Sequence, residues 1–265
     1  MRRLAVYSLW RRELVRFFRQ RSRVAGALGQ PLLLWFVLGG GMNASFRPAG
    51  FAPLGYLAYF FPGMVVLVVL FTAIFATIAV VEDRQTGFLQ GVLVAPVPGW
   101  AILLGQVAGA TTLGVLQALL CLPLAPLAGI DLSAVRVLSA TLVLSLLGFG
   151  LSSLGLVIAW RMDTTQGFHA IMNLLLIPLW LLSGAFFPSE GAPAPLAWLV
   201  SLNPLTYGVA AFRHALYAGS SLPLPLPPLS LSLVVTCAAS LLAFAAAVRS
   251  AAAAYTGGSG ARATR

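Results

Sequence analysis

The polar residues of this chain are few enough to weigh one at a time. Gln166, His169 and Asn173 stand at i, i+3 and i+7, which puts them in one stripe on a helix. In an apolar setting such a stripe serves interhelical hydrogen bonds, or it lines a path for a polar headgroup. His169 has no second His or Cys at ligand spacing, so a metal centre is not expected. Asn203 and Tyr207, four residues apart beside Pro204, are placed to cap an interrupted helix or to touch a gate. The carboxylates Glu13, Glu82, Asp83, Asp131, Asp163 and Glu190 lie outside the long apolar segments or at their ends, which argues against a proton relay. No acid–base pair, metal cluster or activated nucleophile can be assembled from these residues, so an enzyme is not expected. All sixteen basic residues are Arg and none is Lys, so there is no Schiff-base lysine and no lysine for a phosphate-binding loop. Any use of nucleotide energy therefore falls to another polypeptide. Cys121 and Cys237 sit in apolar stretches and read as packing residues.

The elements that must hold these side chains follow from composition. Of 265 residues, 60% are hydrophobic and 8% charged, with a mean hydropathy of +0.95. A soluble domain carries about 25% charge, so a soluble globular protein is ruled out. A charge at the bilayer centre costs about 2.5–3.5 kcal/mol, which makes charge-free runs the ruler for spans. Seven runs qualify, and the one over 191–212 is interrupted by Pro193, Pro195 and Asn203-Pro204, so it reads as a dipping or interfacial helix. Six spans remain, near 24–42, 57–81, 100–126, 137–160, 167–187 and 230–249. With the N-terminus inside, thirteen Arg fall on the cytoplasmic side against Arg47, Arg136 and Arg213 outside. That asymmetry satisfies the positive-inside rule and places both termini in the cytoplasm. The expected fold is an all-α integral membrane protein: an N-terminal amphipathic helix over 1–23, a six-span domain over 24–250 and a cytoplasmic tail over 251–265. No soluble domain is expected, and the 23-residue basic head is too long for a cleaved signal peptide. The end of the tail, Gly257 to Arg265, is small and polar and is expected to lack order.

Three segments carry further information. Stepping 100° per residue from Tyr7, residues Trp10, Leu14, Phe17 and Phe18 fall within an arc of about 100°, with Arg12, Arg16, Arg19 and Arg23 opposite. This is the pattern of an interfacial helix, its arginines facing anionic lipid or a partner, or simply setting orientation. Nucleic acid is not an expected partner, because no folded domain accompanies the basic run. After the second span, Glu82-Asp83-Arg84 ends the apolar helix and Gly87 breaks away. Phe88, Leu89, Val92 and Leu93 then share a face of a short segment closed by Pro96 and Pro98. Its apolar face meets lipid or docks a soluble subunit. Finally, Ser145, Gly148, Ser152 and Gly155 on the fourth span, and Gly105 with Gly109 on the third, read as close-packing seams, and residues 222–229 as an extended polyproline connector.

The string DRQTGFLQGVLVAPV, preceded by YLAYFFPGMVVLVVLFTAIFATIAVVE and followed by AILLGQVAG, resembles the type-2 ABC exporter permeases of the drug-resistance and nodulation-factor group. The likeness continues through GFHAIMNLLLIPLWLLSGAFFP at 167–188 and NPLTYGVAAFRHAL at 203–216, covering nearly the whole chain in order. It departs at Gln85, where relatives often have an acid, and at Gly105-Gln106, where they often have Gly-Lys. The resemblance implies a multi-pass subunit of a bacterial-type inner membrane. It would pair with an identical or related permease and with two ABC ATPases, which would hold the ATP and magnesium. A coupling helix around Gly87–Pro96, flanked by Glu82, Asp83 and Arg84, would rest on the ATPase. The stretch from Phe186 to Leu229, with Asn203, Pro204 and Tyr207, would form a re-entrant helical pair on the outer side between spans five and six. Drug, lipid and lipid-linked glycan are all compatible as cargo. Read from the residues alone, a sodium-coupled secondary transporter and a non-transporting scaffold stay open.

Overall fold

The computed structural model describes residues 2–42, 55–88, 91, 97–188, 193–218 and 226–260. Nine helices account for most of these: α1 (Arg2–Arg19), α2 (Arg21–Met42), α3 (Tyr56–Gln85), α4 (Gly99–Cys121), α5 (Ala134–Ala159), α6 (Thr165–Trp180), α7 (Ala194–Leu202), α8 (Pro204–Leu216) and α9 (Leu229–Gly260). Six of them are long and apolar enough to cross a membrane: α2, α3, α4 with its 3-10 extension to Ala128, α5, α6 with a wider turn to Ala185, and α9. These match the six spans read from charge-free runs.

The bundle is built around α3. Its most apolar stretch is 94% buried, where the corresponding stretches of α2 and α9 are 22% buried, so α3 is the centre and the other two are flanks. The sequence explains this placement. From Tyr56 to Val81 the helix carries no charge, and its two threonines satisfy themselves, Thr72 and Thr77 each donating to the carbonyl four residues back at 2.7 Å. A helix of 30 residues is about 45 Å long, against roughly 30 Å of hydrocarbon, so its last turns project beyond the apolar zone. Those turns carry Glu82, Asp83 and Arg84.

Glycines set how closely the neighbours approach α3 and each other. A methyl group on Gly155 of α5 would sit 2.6 Å from Thr77 Oγ1, and one on Gly208 of α8 would sit 2.3 Å from Leu147 Cδ2. Gly148, Ser152 and Gly155 are buried, so the seam on the fourth span is real. The Gly105/Gly109 seam on α4 receives α1: a methyl on Gly105 would meet Leu9 Cβ at 2.9 Å, and one on Gly109 would meet Glu13 Cβ at 2.8 Å.

Between the fifth and sixth spans lie two short helices, α7 and α8, broken at Asn203, which replaces a single dipping helix. Past Ala252, α9 runs on to Gly260, so the stretch from 257 to 260, read from sequence as lacking order, begins as helix. Of the polyproline connector, Leu226, Pro227 and Pro228 carry no regular secondary structure and Leu229 already starts α9; residues 222–225 lie outside the described residues.

Candidate functional site

One end of the bundle collects most of the charge. Arg12 donates from Nη2 to both carboxylate oxygens of Asp83, at 2.6 and 2.8 Å. Arg16 bridges Asp83 Oδ1 at 2.7 Å and Glu82 Oε2 at 2.5 Å, and Arg23 pairs with the other oxygen of Glu82. The backbone makes this convergence possible. The helix stops at Gln20, where Gln20 N–H bonds Phe17 O at 3.0 Å, and restarts at Arg21, which brings Arg23 of α2 round to the same carboxylate as Arg16 of α1. Asp83 is almost fully buried by these partners. Removing one partner of such a pair leaves a buried charge uncompensated, at a cost of about 3–5 kcal/mol.

The arginine face read from sequence as meeting lipid or a partner is thus spent, at Arg12, Arg16 and Arg23, on the chain's own Glu82 and Asp83; Arg19 alone of the four stays exposed. The apolar arc divides as well. Phe17 is buried and Trp10 donates to Thr112 Oγ1 at 3.0 Å, while Tyr7 and Phe18 are exposed. The buried stripe of α1 is Leu9, Glu13 and Phe17, at i, i+4 and i+8, and its middle member is an acid. Glu13 Oε1 finds only Arg12, at 3.6 Å, and burial pushes the carboxyl up to about 7 against the opposing pull of Arg12 and Arg16.

Below this network the chain turns. Gly87 takes a φ of 75°, a left-handed conformation that favours glycine, after Thr86 and Gly87 have closed the helix on Glu82 O and Arg84 O. The turn lays Phe88 against the Arg12 guanidinium, 4.0 Å from ring centre to Cζ, with the rest of the ring half exposed. On the other flank Arg84 donates to Trp160 O at 2.7 Å and Met162 O at 3.2 Å, and Gln85 Nε2 to Asp163 O at 2.8 Å. The end of α3 is therefore pinned to α1, to α2 and to the turn joining α5 and α6. Gln85 thus holds a backbone carbonyl. Glu82, Asp83, Arg84, Gly87 and Phe88 stand at this end of α3; Leu89, Val92, Leu93 and Pro96 lie outside the described residues.

The opposite end holds a charge differently. Arg213 of α8 is buried, donating to Gly184 O at 2.9 Å and Tyr59 O at 3.3 Å, with its guanidinium 4.4 Å from the Tyr59 ring centre. Arg213, expected on the outer side from the arginine asymmetry, is buried inside the protein. Its carbonyl partner exists because the helix is disturbed there: Gly184 has a φ of 72°, and its oxygen also accepts from Tyr59 Oη at 2.6 Å. Nearby, Pro62 has no N–H to offer the carbonyl of Ala58, which accepts from Tyr217 Oη at 2.8 Å. Asn203 caps α8, its Oδ1 accepting from Leu205 N–H at 2.9 Å while Nδ2 donates to Leu179 O at 2.6 Å, and Tyr207 Oη donates to Ser201 O at 3.0 Å. Asn203, Pro204 and Tyr207 thus act as the cap of a broken helix.

Gln166 and Asn173 are exposed on α6, and His169 between them is half-buried, its ring 5.9 Å from that of Phe75 between centres and inclined to it by 66°. Among the described residues none of the three has a hydrogen-bond partner, so the stripe is not bonded to another helix of this chain.

Residues 5–217, which include this elbow, match the family model of the ABC-2 type transporters. The chain belongs to that family. It is 28% identical over 220 residues to the putative transport permease ycf38 of Cyanophora paradoxa, covering 82% of this chain and 75% of the relative. It is 26% identical over 255 residues to nodulation protein J of Neorhizobium galegae, covering 89% and 88%. It is also 26% identical over 227 residues to the inner membrane transport permease YadH of Escherichia coli K12, covering 83% and 86%. This ABC-2 family member is thus a multi-pass membrane transporter subunit.

Proposed function

We propose that the chain is the permease half of an ATP-driven exporter of a bacterial-type inner membrane, worked by a separate ABC ATPase that holds the ATP and magnesium. In this reading both termini and the Gly87 elbow are cytoplasmic. The observation that carries it is Phe88, an aromatic ring held by Arg12 yet still 45% exposed. A half-exposed aromatic anchor at the polar end of a membrane bundle is suited to a protein groove rather than to water. Force applied there reaches α1 through Arg12, α3 through Gly87 and the α5–α6 turn through Arg84 and Gln85. A second permease, identical or related, covers the open Gln166, His169 and Asn173 stripe, which then faces a path for cargo. Drug, lipid and lipid-linked glycan all suit walls with so little charge. The two helices α7 and α8 form the outer re-entrant pair, and the exposed Arg19 with Tyr7 and Phe18 seat α1 at the lipid surface.

The test is purification from native membranes in mild detergent, followed by ATP-driven transport in vesicles. A phosphate-loop ATPase should accompany the chain, and Phe88→Asp should reduce its recovery and transport at least tenfold while leaving thermal unfolding unchanged. Full transport by vesicles holding this chain alone, or unimpaired transport by Phe88→Asp, overturns the reading.

A further inference from the structure

Two of the arginines outside the network described above share a groove. Arg161 follows the end of α5 and Arg249 lies near the inner end of α9, 88 positions later in sequence, yet both line one groove of about 640 Å³. That volume falls in the range of roughly 300–1,000 Å³ usual for small-ligand sites. Both side chains are exposed, and among the described residues neither guanidinium has an acidic or carbonyl partner. The nearby acid Asp163 is turned to Arg84 at 3.4 Å. Ser250 Oγ, also on the groove, is buried and without a hydrogen-bond partner among the described residues.

The wall of the groove has an order. Leu242, Ala245, Ala246, Arg249 and Ser250 stand at i, i+3, i+4, i+7 and i+8, a single stripe of α9 that is apolar toward the middle of the span and polar at its end. Arg161 faces the polar end from α5. Two permanent positive charges with a spare hydroxyl, continued by an aliphatic wall running into the membrane, match a ligand with an anionic head and a hydrocarbon tail. A free phosphate would satisfy the arginines but leave Leu242 and Ala246 uncovered.

We infer that the groove between the inner ends of α5 and α9 binds an anionic phospholipid, its phosphate between Arg161 and Arg249 and an acyl chain along Ala246 and Leu242. The site is separate from the Phe88 elbow and does not depend on how the transporter is driven. Arginine suits the task because its planar fork bonds two phosphate oxygens at once and its charge persists at any physiological pH.

The experiment is native mass spectrometry of the full chain in detergent, supplied with equal phosphatidylglycerol and phosphatidylcholine or with inorganic phosphate alone. Wild type should retain phosphatidylglycerol roughly tenfold over phosphatidylcholine, as two arginines at an anionic surface warrant. Arg161→Gln with Arg249→Gln should bring the two lipids to parity. Because losing two inner arginines can disturb insertion, Ala246→Trp fills the groove with both charges kept, and should also abolish retention. Arg161→Lys with Arg249→Lys should retain the preference in weakened form. Equal retention of the two lipids by wild type, or an unchanged preference in both the glutamine and the tryptophan variants, overturns the inference. So does binding of inorganic phosphate with no anionic lipid held.

Discussion

The two ends of the bundle hold buried charge by opposite means. At the arginine-rich end, Asp83 is held by Arg12 and Arg16, and Glu82 by Arg16 and Arg23, charge against charge across three helices. At the other end, Arg213 rests on two carbonyl oxygens and an aromatic ring, with backbone dipoles in place of a carboxylate. The first arrangement sits beyond the apolar zone, where water reaches Arg12 and Arg16 and the pairs can be exchanged. The second depends on Gly184 O, left spare by the disturbed helix, and on Tyr59 O of α3, so it is fixed by the fold. Exchangeable pairs leave the first end able to rearrange, whereas fixed carbonyls hold the second in place.

Four variants break or sharpen this contrast. Asp83→Ala strips both arginines of their shared partner and should lower stability by about 3–5 kcal/mol, measured by thermal unfolding in detergent. Raising salt to 1 M, where the screening length is about 3 Å, should narrow the gap between wild type and this variant; a gap unmoved by salt would mean the network is as closed as the Arg213 site.

Glu13→Gln tests the one acid at that end without a close partner. Its carboxyl, raised from 4.5 to about 7, binds a proton more tightly in the folded than in the unfolded chain. Stability therefore falls as pH rises from about 4.5 to 7, and the deficit is complete above 7. Removing the charge should raise stability by up to about 3 kcal/mol at pH 8 and change nothing at pH 4. A variant less stable than wild type at pH 8 would show that Glu13 is an essential anion of the network.

Arg213→Ala should cost about 2 kcal/mol through the loss of charged hydrogen bonds to Gly184 and Tyr59. This loss should be insensitive to salt, and a salt-dependent loss would erase the distinction between the ends. The smallest effect is expected from Gly109→Ala, whose added methyl meets Glu13 Cβ at 2.8 Å and should cost about 1 kcal/mol. Faster proteolysis near Gln20 would report the displaced α1, and unchanged digestion would show that the seam yields without release.

Much of this was legible beforehand, for reasons that differ by residue. The spans could be counted because a charge in hydrocarbon is costly wherever it falls, so charge-free length alone marks them. The elbow could be located because Gly87 after a charged triplet is a local signal, and Asn203 before Pro204 is a local cap. Glu13 was missed because its burial depends on Gly109 of another helix, although its place midway between Leu9 and Phe17 was visible. Arg213 was counted as external because the carbonyls that receive it come from α3 and the turn after α6.

The linear chain therefore determined which segments enter the membrane, which end is basic, and where helices break, since each follows from the free energy of short stretches in water or lipid. Only the tertiary structure decided that Arg12, Arg16 and Arg23 turn inward to Glu82 and Asp83 rather than outward, that Phe88 lies under Arg12, and that Arg161 and Arg249 share a groove. A long side chain reaches partners from any helix packed within a few ångströms, and which helix that is depends on how the glycine seams let the bundle close.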